Sequence, residues 1–250
     1  NIFLFNEQLN NQVGENKLFA SENKLVYTKK IDSSKALVAV ARYIFQKRPY
    51  NFTDENEVFS YILKNPDAQK INQNIDSKMN FAGAKVSYLK KYAEENNLEL
   101  QIGNEFRKDF LNSELKLYNL NNEAVNFDSK EFINHTDYSQ NNIFGLAKYT
   151  KKGKKWNFGF TILNQMIFSN LNKNKQSGFY ISPSINIGYQ NRKTGNFSFN
   201  AVRKFSTLSI NNVFTKYIYQ GNRNFNQNNV EFTVLPDYNI GFSYNVGEKM

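Results

Sequence analysis

Residues 178–190 read GFYISPSINIGYQ, and the two parities of this segment have opposite chemistry. Phe179, Ile181, Pro183, Ile185, Ile187 and Tyr189 hold the odd positions, while Tyr180, Ser182, Ser184, Asn186, Gly188 and Gln190 hold the even ones. Successive side chains of a β-strand point to opposite faces, so this spacing predicts a strand with one apolar, aromatic face and one nearly all small and polar. Such a strand needs an apolar medium on one side and water on the other.

The pattern recurs. Trp156, Phe158, Phe160 and Ile162 oppose Asn157, Gly159 and Thr161. Phe197, Phe199, Ala201 and Phe205 oppose Asn196, Ser198, Asn200, Val202 and Lys204. Tyr238, Ile240, Phe242, Tyr244 and Val246 oppose Asn239, Gly241, Ser243 and Asn245. Leu98, Leu100, Ile102 and Phe106 oppose Glu99, Gln101, Gly103 and Glu105. In 35–46, Leu37, Ala39, Ala41, Tyr43 and Phe45 share one face and the other is mixed. Segments 1–9, 79–91 and 141–150 carry apolar residues on both faces.

The chain has 23 Phe and 15 Tyr, yet its mean hydropathy is −0.64. That favours strands with one oily and one wet face over a sandwich filled with apolar side chains. No run of about 18 apolar residues occurs, so no transmembrane helix is expected and any membrane role must come through strands. The absence of cysteine excludes disulfides and thiolate metal sites. The net charge of +10 raises the question of nucleic acid. However, Lys29–Lys30, Lys90–Lys91, the run 151–155 and Arg192–Lys193 fall at strand ends or turns and form no stripe, so no nucleic-acid partner is expected.

Short polar turns near 32–34, 94–97, 151–154 and 192–195 alternate with longer links at 51–77, 113–140, 171–177 and 212–235. That alternation is the connectivity of an up-and-down transmembrane barrel. The expected fold is all-β and antiparallel, with one barrel domain over 1–250. About ten strands are expected: 1–9, 17–31, 35–49, 79–92, 98–112, 141–151, 155–170, 178–191, 196–211 and 236–247. The expected membrane-facing set is Trp156, Phe158, Phe160, Phe179, Ile181, Ile185, Ile187, Tyr189, Tyr238, Ile240, Phe242 and Tyr244. Arg203 falls on the otherwise oily face, which predicts either a place near a membrane rim or a shifted register for its strand.

From about residue 178 onward, the stretches NFSFNAVRKFSTLSINN (196–212) and YIYQGNRNFNQNNVEFTVLPDYNIGFSYNV (217–246) resemble the barrel of TonB-dependent outer-membrane receptors. The likeness is to the Bacteroidota type with a carboxypeptidase-regulatory-like domain. It is carried by Arg203, Ser209, Ile210, Asn211, Gly221, Asn222, Leu235 and Pro236, with Leu208 and Arg223 where the family often has Pro. The segment 21–49 reads like an upstream hairpin of the same barrel. The resemblance implies a Gram-negative outer-membrane location and a barrel of about 22 strands. It also implies a plug through which the TonB system acts, and a surface lipoprotein as a further partner. No plug segment is seen, so the chain is read as a mid-barrel portion of a processed or excised product, the alternative being a complete ten-stranded barrel.

Other chemistry is sparse. His135 with Asp137 and Ser139 could suggest a triad, but a long exterior link favours a solvated histidine. Asp54, Glu55 and Glu57 could take a hard cation but lack the loop signature for one. Asn51, Asn134 and Asn196 begin sequons of the kind an Asn-rich chain produces by chance. No catalytic residue, metal or cofactor is expected. Tyr217, Tyr219, Arg223 and Phe225, in the link 213–234, are the expected contacts for a small solute, glycan or peptide. A soluble β-sandwich that binds glycans through its aromatics is the alternative of another class, and a barrel enzyme resting on His135 is a third.

Overall fold

The structure is a computed structural model that describes residues 11–55, 65, 67–92, 95–191, 195–207, 214–221, 224–227 and 234–246. Its strands are β1 (Asn11–Asn16), β2 (Phe19–Lys30), β3 (Lys35–Glu55), β4 (Lys70–Tyr92), β5 (Asn96–Tyr118), β6 (Ala124–Val125), β7 (Asn134–Lys152), β8 (Trp156–Leu171), β9 (Asn174–Asn191), β10 (Gly195–Ser206), β11 (Ile218–Tyr219), β12 (Phe225–Asn226) and β13 (Leu235–Asn245). A 3-10 turn covers Ser129–Phe132. No helix among the described residues is long and apolar enough to cross a membrane, which says nothing of strands.

The long strands form one antiparallel up-and-down sheet in the order β3-β4-β5-β7-β8-β9-β10-β13. β1 and β2 lie end to end along the free side of β3: Asn16 pairs with Tyr50 and Phe19 with Lys47, so the register runs straight through. The ladder is interrupted between them at Pro49, which accepts from the Lys17 amide at 3.1 Å but has no N–H to return. Among the described residues the sheet is open, with β1–β2 and β13 as its edges.

Strands occupy the expected segments within the described residues; 1–9, 208–211 and 247 lie outside them. The link 171–177 is corrected. β8 and β9 join through Asn172 and Lys173 alone, both at positive φ (48° and 79°), as a two-residue type I′ hairpin requires. The other long links are partly strand. β3 runs on through Pro49 to Glu55, β4 begins at Lys70, β5 continues to Tyr118 and β7 begins at Asn134.

These extensions have a common logic. In β5 the apolar residues are even-numbered from Leu98 to Phe110 and odd-numbered from Leu111 to Leu117, with no change of register against β4 or β7. In β8, Trp156 to Phe168 hold the even positions, whereas buried Ile167 and Leu171 are odd. In β4, Val86 and Tyr88 give way to Ile71 and Ile75; in β7, Ile143 and Tyr149 give way to Tyr138. The change of apolar side is clean in β5, close to the row Lys47–Lys78–Phe110–Asp137. By contrast, Phe81 and Leu89 of β4, Phe144 and Leu146 of β7 and Leu163 of β8 already place apolar side chains on the later parity below that row.

Beyond that row, the face that was mixed becomes a core. Leu111, Tyr138, Leu171, Phe214 and Ile218 form one cluster; Ala68, Ile71, Leu115, Leu117 and Tyr219 form a second, flanked by Phe52, Phe127, Phe132 and Phe225. The β11–β12 hairpin thus caps the long-loop end of the sheet on its otherwise mixed face.

Candidate functional site

Directly opposed residues share a face, so register places the apolar side chains in one field. Trp156 pairs with Tyr189, Phe158 with Ile187 and Phe160 with Ile185. Tyr189, Ile187 and Ile185 pair in turn with Phe197, Phe199 and Ala201, which meet Tyr244, Phe242 and Ile240 on β13. Met166–Phe179 and Asn164–Ile181 continue the same face upward, and Arg203–Tyr238 lies toward its upper edge. All twelve residues expected to face a membrane therefore lie on one surface, which is widely exposed: Phe179 is 62%, Phe242 69% and Ile240 77% accessible. Contiguous exposed apolar area on this scale is a contact surface rather than ordinary protein exterior.

The field has cationic borders. Lys35 pairs with Lys90 at the short-turn end, and twelve residues along both strands Lys47 pairs with Lys78. At about 3.3 Å per residue this is about 40 Å of strand, which would stand about 30 Å high if the strands took the ~40° tilt of a barrel. Three border cations rest on rings of the same face: Lys90 on Tyr92 at 4.2 Å, Lys108 on Phe110 at 4.6 Å, and Arg203 on Phe205 at 4.7 Å. Arg203 keeps its expected register, three residues from the end of β10. Asparagines within the field pair locally, Asn104 with Asn141 at 2.8 Å and Asn80 with the Tyr43 hydroxyl at 3.2 Å.

The opposite face is mixed at the same level and holds the ion pairs. Arg42 bonds Glu22 at 2.8 Å, and Arg107 bonds buried Asp109 through Nε and Nη2 at 2.6 and 3.2 Å. Lys24, Arg42, Lys85, Glu105, Asn142 and Gln165 line a cavity of about 640 Å³ together with Val40, Phe81, Phe144, Leu146 and Leu163. A Cβ on Gly103 would meet the Phe144 ring at 2.5 Å, so glycine is what lets that ring lie close over the wall.

The cap is held by polar groups as well as by apolar packing. Asn134, 1% exposed, donates to Ser113 Oγ at 2.8 Å and to the Lys216 carbonyl at 3.3 Å, and accepts from the Lys216 amide at 2.9 Å. Gln73, fully buried, accepts from the Tyr219 amide at 3.1 Å. Asp54, also fully buried, accepts from the Tyr219 hydroxyl and from Gln12 Nε2 at 2.8 Å.

Of the expected ligand contacts, Tyr217, Tyr219 and Phe225 pack within the cap, with Tyr217 and Phe225 half-buried. Tyr219 is 1% exposed within the cap core, where its side chain is closed to a solute in this conformation. Tyr217 packs on Phe132 at 5.8 Å, and Phe225 packs on Phe132 and Tyr219 at 5.7 and 5.0 Å. Arg223 lies outside the described residues. His135 Nδ1 meets Asn112 Oδ1 at 3.0 Å, while Asp137 reaches Lys108 at 3.6 Å, so these two side chains hold different partners. Asp54 is buried on one face of β3 and Glu55 bonds Lys70 at 2.9 Å on the other; Glu57 lies outside the described residues. No metal-binding cluster occurs among the described residues. Of the sequon asparagines, Asn134 is sealed into the cap.

The short-turn end is strongly basic. Lys29, Lys30, Lys35, Lys90, Lys91, Lys148, Lys151, Lys152, Lys154 and Lys155 gather there against Asp32, Glu95 and Glu99. Asp32 is committed within its own turn. A hydrogen bond from Lys35, then donors from the Ser34 amide and hydroxyl, hold its carboxyl well below the usual aspartate range.

No protein-family model matches the chain, and no curated protein is significantly similar to it.

Proposed function

We propose that this chain forms part of the wall of an outer-membrane β-barrel, with its apolar field against lipid and its polar face toward an aqueous lumen. The observation that carries this reading is the change of apolar side at one level. Below the Lys47–Lys78 row one face is oily and exposed and the other mixes charged and amide side chains with apolar ones; above it, the strands bury that second face under a cap, as they would in water. The height between the lysine borders suits a hydrocarbon layer of about 30 Å, and lysines at its edges can reach headgroups along their aliphatic stems. The long-loop end then lies outside the cell and the short-turn end in the periplasm.

Within that reading, the wall belongs to a receptor that imports a scarce solute, energised by the TonB system through a plug outside this chain. The resemblance over 196–246 and the loops at one end support this role, with a surface lipoprotein as an additional partner.

Trp156 is the single tryptophan and lies at the short-turn border of the field, which makes the membrane reading testable at one residue. The full chain is refolded into vesicles whose lipids carry bromine at graded acyl depths. Trp156 emission is expected to be quenched most by bromine near the headgroup, as for an interfacial girdle residue. A detergent-free monomer whose Trp156 ignores brominated lipid would overturn the membrane reading. Proton-motive-force-dependent solute accumulation that persists in cells lacking TonB would overturn the receptor reading.

A further inference from the structure

We infer that the short-turn end of the polar face is a docking site for an acidic polypeptide segment. A cavity of about 650 Å³ opens there between the ends of β2 to β7. Lys30, Lys91 and Lys148 line it from the polar face, and Lys35 and Lys90 border it. Two carboxylates share this space, and each is engaged: Asp32 with Lys35 at 3.0 Å and Ser34, and Glu99 with the side-chain amide of Gln101. Lys30, Lys91 and Lys148 are exposed and form no ion pair within 4.0 Å among the described residues, although Lys148 stands directly opposite Glu99 in the ladder. Five lysines against two carboxylates leave the lining with an excess of positive charge, which attracts an anion.

The face decides which anion. Lys29, Lys35 and Lys151 lie on the apolar side of the same rim, where they serve a lipid headgroup layer. Lys30, Lys91 and Lys148 lie on the other side, beside Thr28, Asn97 and Thr150, where acyl chains do not reach. A chain bearing several carboxylates can place one against each lysine, with the Thr and Asn side chains and the Ser33–Ser34 turn supplying hydrogen bonds to its backbone. Such a segment closes the periplasmic mouth of the wall.

This inference rests on the polar face being an aqueous wall, so the test reads both. The full chain in zwitterionic micelles is titrated with a fluorescein-labelled Glu-rich peptide at low and at physiological salt. Lys30→Gln/Lys91→Gln/Lys148→Gln is expected to weaken binding about tenfold, a factor of a few per exposed charge, and to flatten its salt dependence. The triple Lys→Arg variant is expected to retain it, and Lys29→Gln/Lys151→Gln to change it about twofold or less. Equal losses in the two Gln variants, or no loss in the triple variant, overturn the proposal. So does a triple Gln variant that keeps peptide affinity but no longer binds phosphatidylglycerol vesicles, which assigns the site to lipid. Trp156 quenching by brominated detergent is read in the same samples. A quenched Trp156 with an indifferent triple variant defeats this inference alone, and an unquenched Trp156 with peptide binding intact defeats the membrane reading alone.

Discussion

Lys47 lies directly opposite Lys78 on the apolar face, a like-charge pair at the level where that face stops being apolar. In water such a pair is unfavourable. Asp76, 3.5 Å from Lys78, offsets part of that cost, and on the membrane reading proposed above a headgroup layer would supply the remaining anions. The pair's counterpart, Lys35 opposite Lys90, marks the other edge.

The border fixes what a depth scan must give. Ile102 on β5 is near the middle of the field and 67% exposed, whereas Leu98 lies opposite Lys90 at its edge. In bilayers, Ile102→Arg is expected to cost about 2–4 kcal/mol and Leu98→Arg about 0–1 kcal/mol. If the field faced water, replacing so exposed a side chain would change stability by about 0.5 kcal/mol or less. Urea titrations of the two variants in vesicles separate the cases, and equal small effects would remove lipid from the picture.

The hairpin between β8 and β9 is under local strain. Lys173 holds φ 79°, a region that costs a residue with a Cβ about 1–2 kcal/mol. Glycine avoids that cost but loses about 0.5–1 kcal/mol in backbone entropy. Lys173→Gly is therefore expected to stabilise the protein by about 0.5–1 kcal/mol. The gain should appear as a higher urea midpoint at unchanged slope. A lower midpoint would mean that the Lys173 side chain supplies something the turn needs.

Much of this fold is legible from alternation, because strands with one oily face write period two into the sequence. Residues 156–162, 178–190, 196–205 and 238–246 fold with the faces their parity implies. The outer extensions were harder to read for one physical reason. Leu111, Leu115 and Leu117 continue the alternation, but on the other parity, so the strand looks finished where only its surroundings change. The cap was hidden differently. Asp54, Gln73 and Asn134 are polar residues buried by a hairpin from far along the chain, and no local pattern announces a long-range hydrogen bond. Tyr219 was legible as an aromatic in a long link, but its partner was not.

Asp32 gives a pH dependence with a definite sign. Its folded-state pKa is depressed, chiefly by the Lys35 hydrogen bond. Its contribution is therefore fully present above the unfolded aspartate value of about 4, and is lost as pH falls below that toward the depressed folded value. The stability gap between wild type and Asp32→Ala should stay level from pH 7 to about 5 and shrink by about pH 3. Urea midpoints at these three pH values test it, and a gap that widens on acidification would contradict the assigned ion pair.

Asn134 makes the cap separable from the sheet. Replacing it with Ala leaves the Lys216 amide and carbonyl and the Ser113 hydroxyl without their buried partner. Orphaning such groups costs about 1–3 kcal/mol, and the loss falls on the contact between β7 and the segment that begins at Phe214. Opening of that segment should become about tenfold more frequent, read as faster protease nicking within 214–227. The strands below the Lys47–Lys78 row keep their ladders and should stay protected. Gln227→Ala, which removes an exposed bond to the Thr215 carbonyl at 2.8 Å, should change the nicking rate little. Nicking that rises equally in 119–133 and in 214–227 would mean that the whole outer end opens as one unit, and that Asn134 holds the sheet rather than the cap.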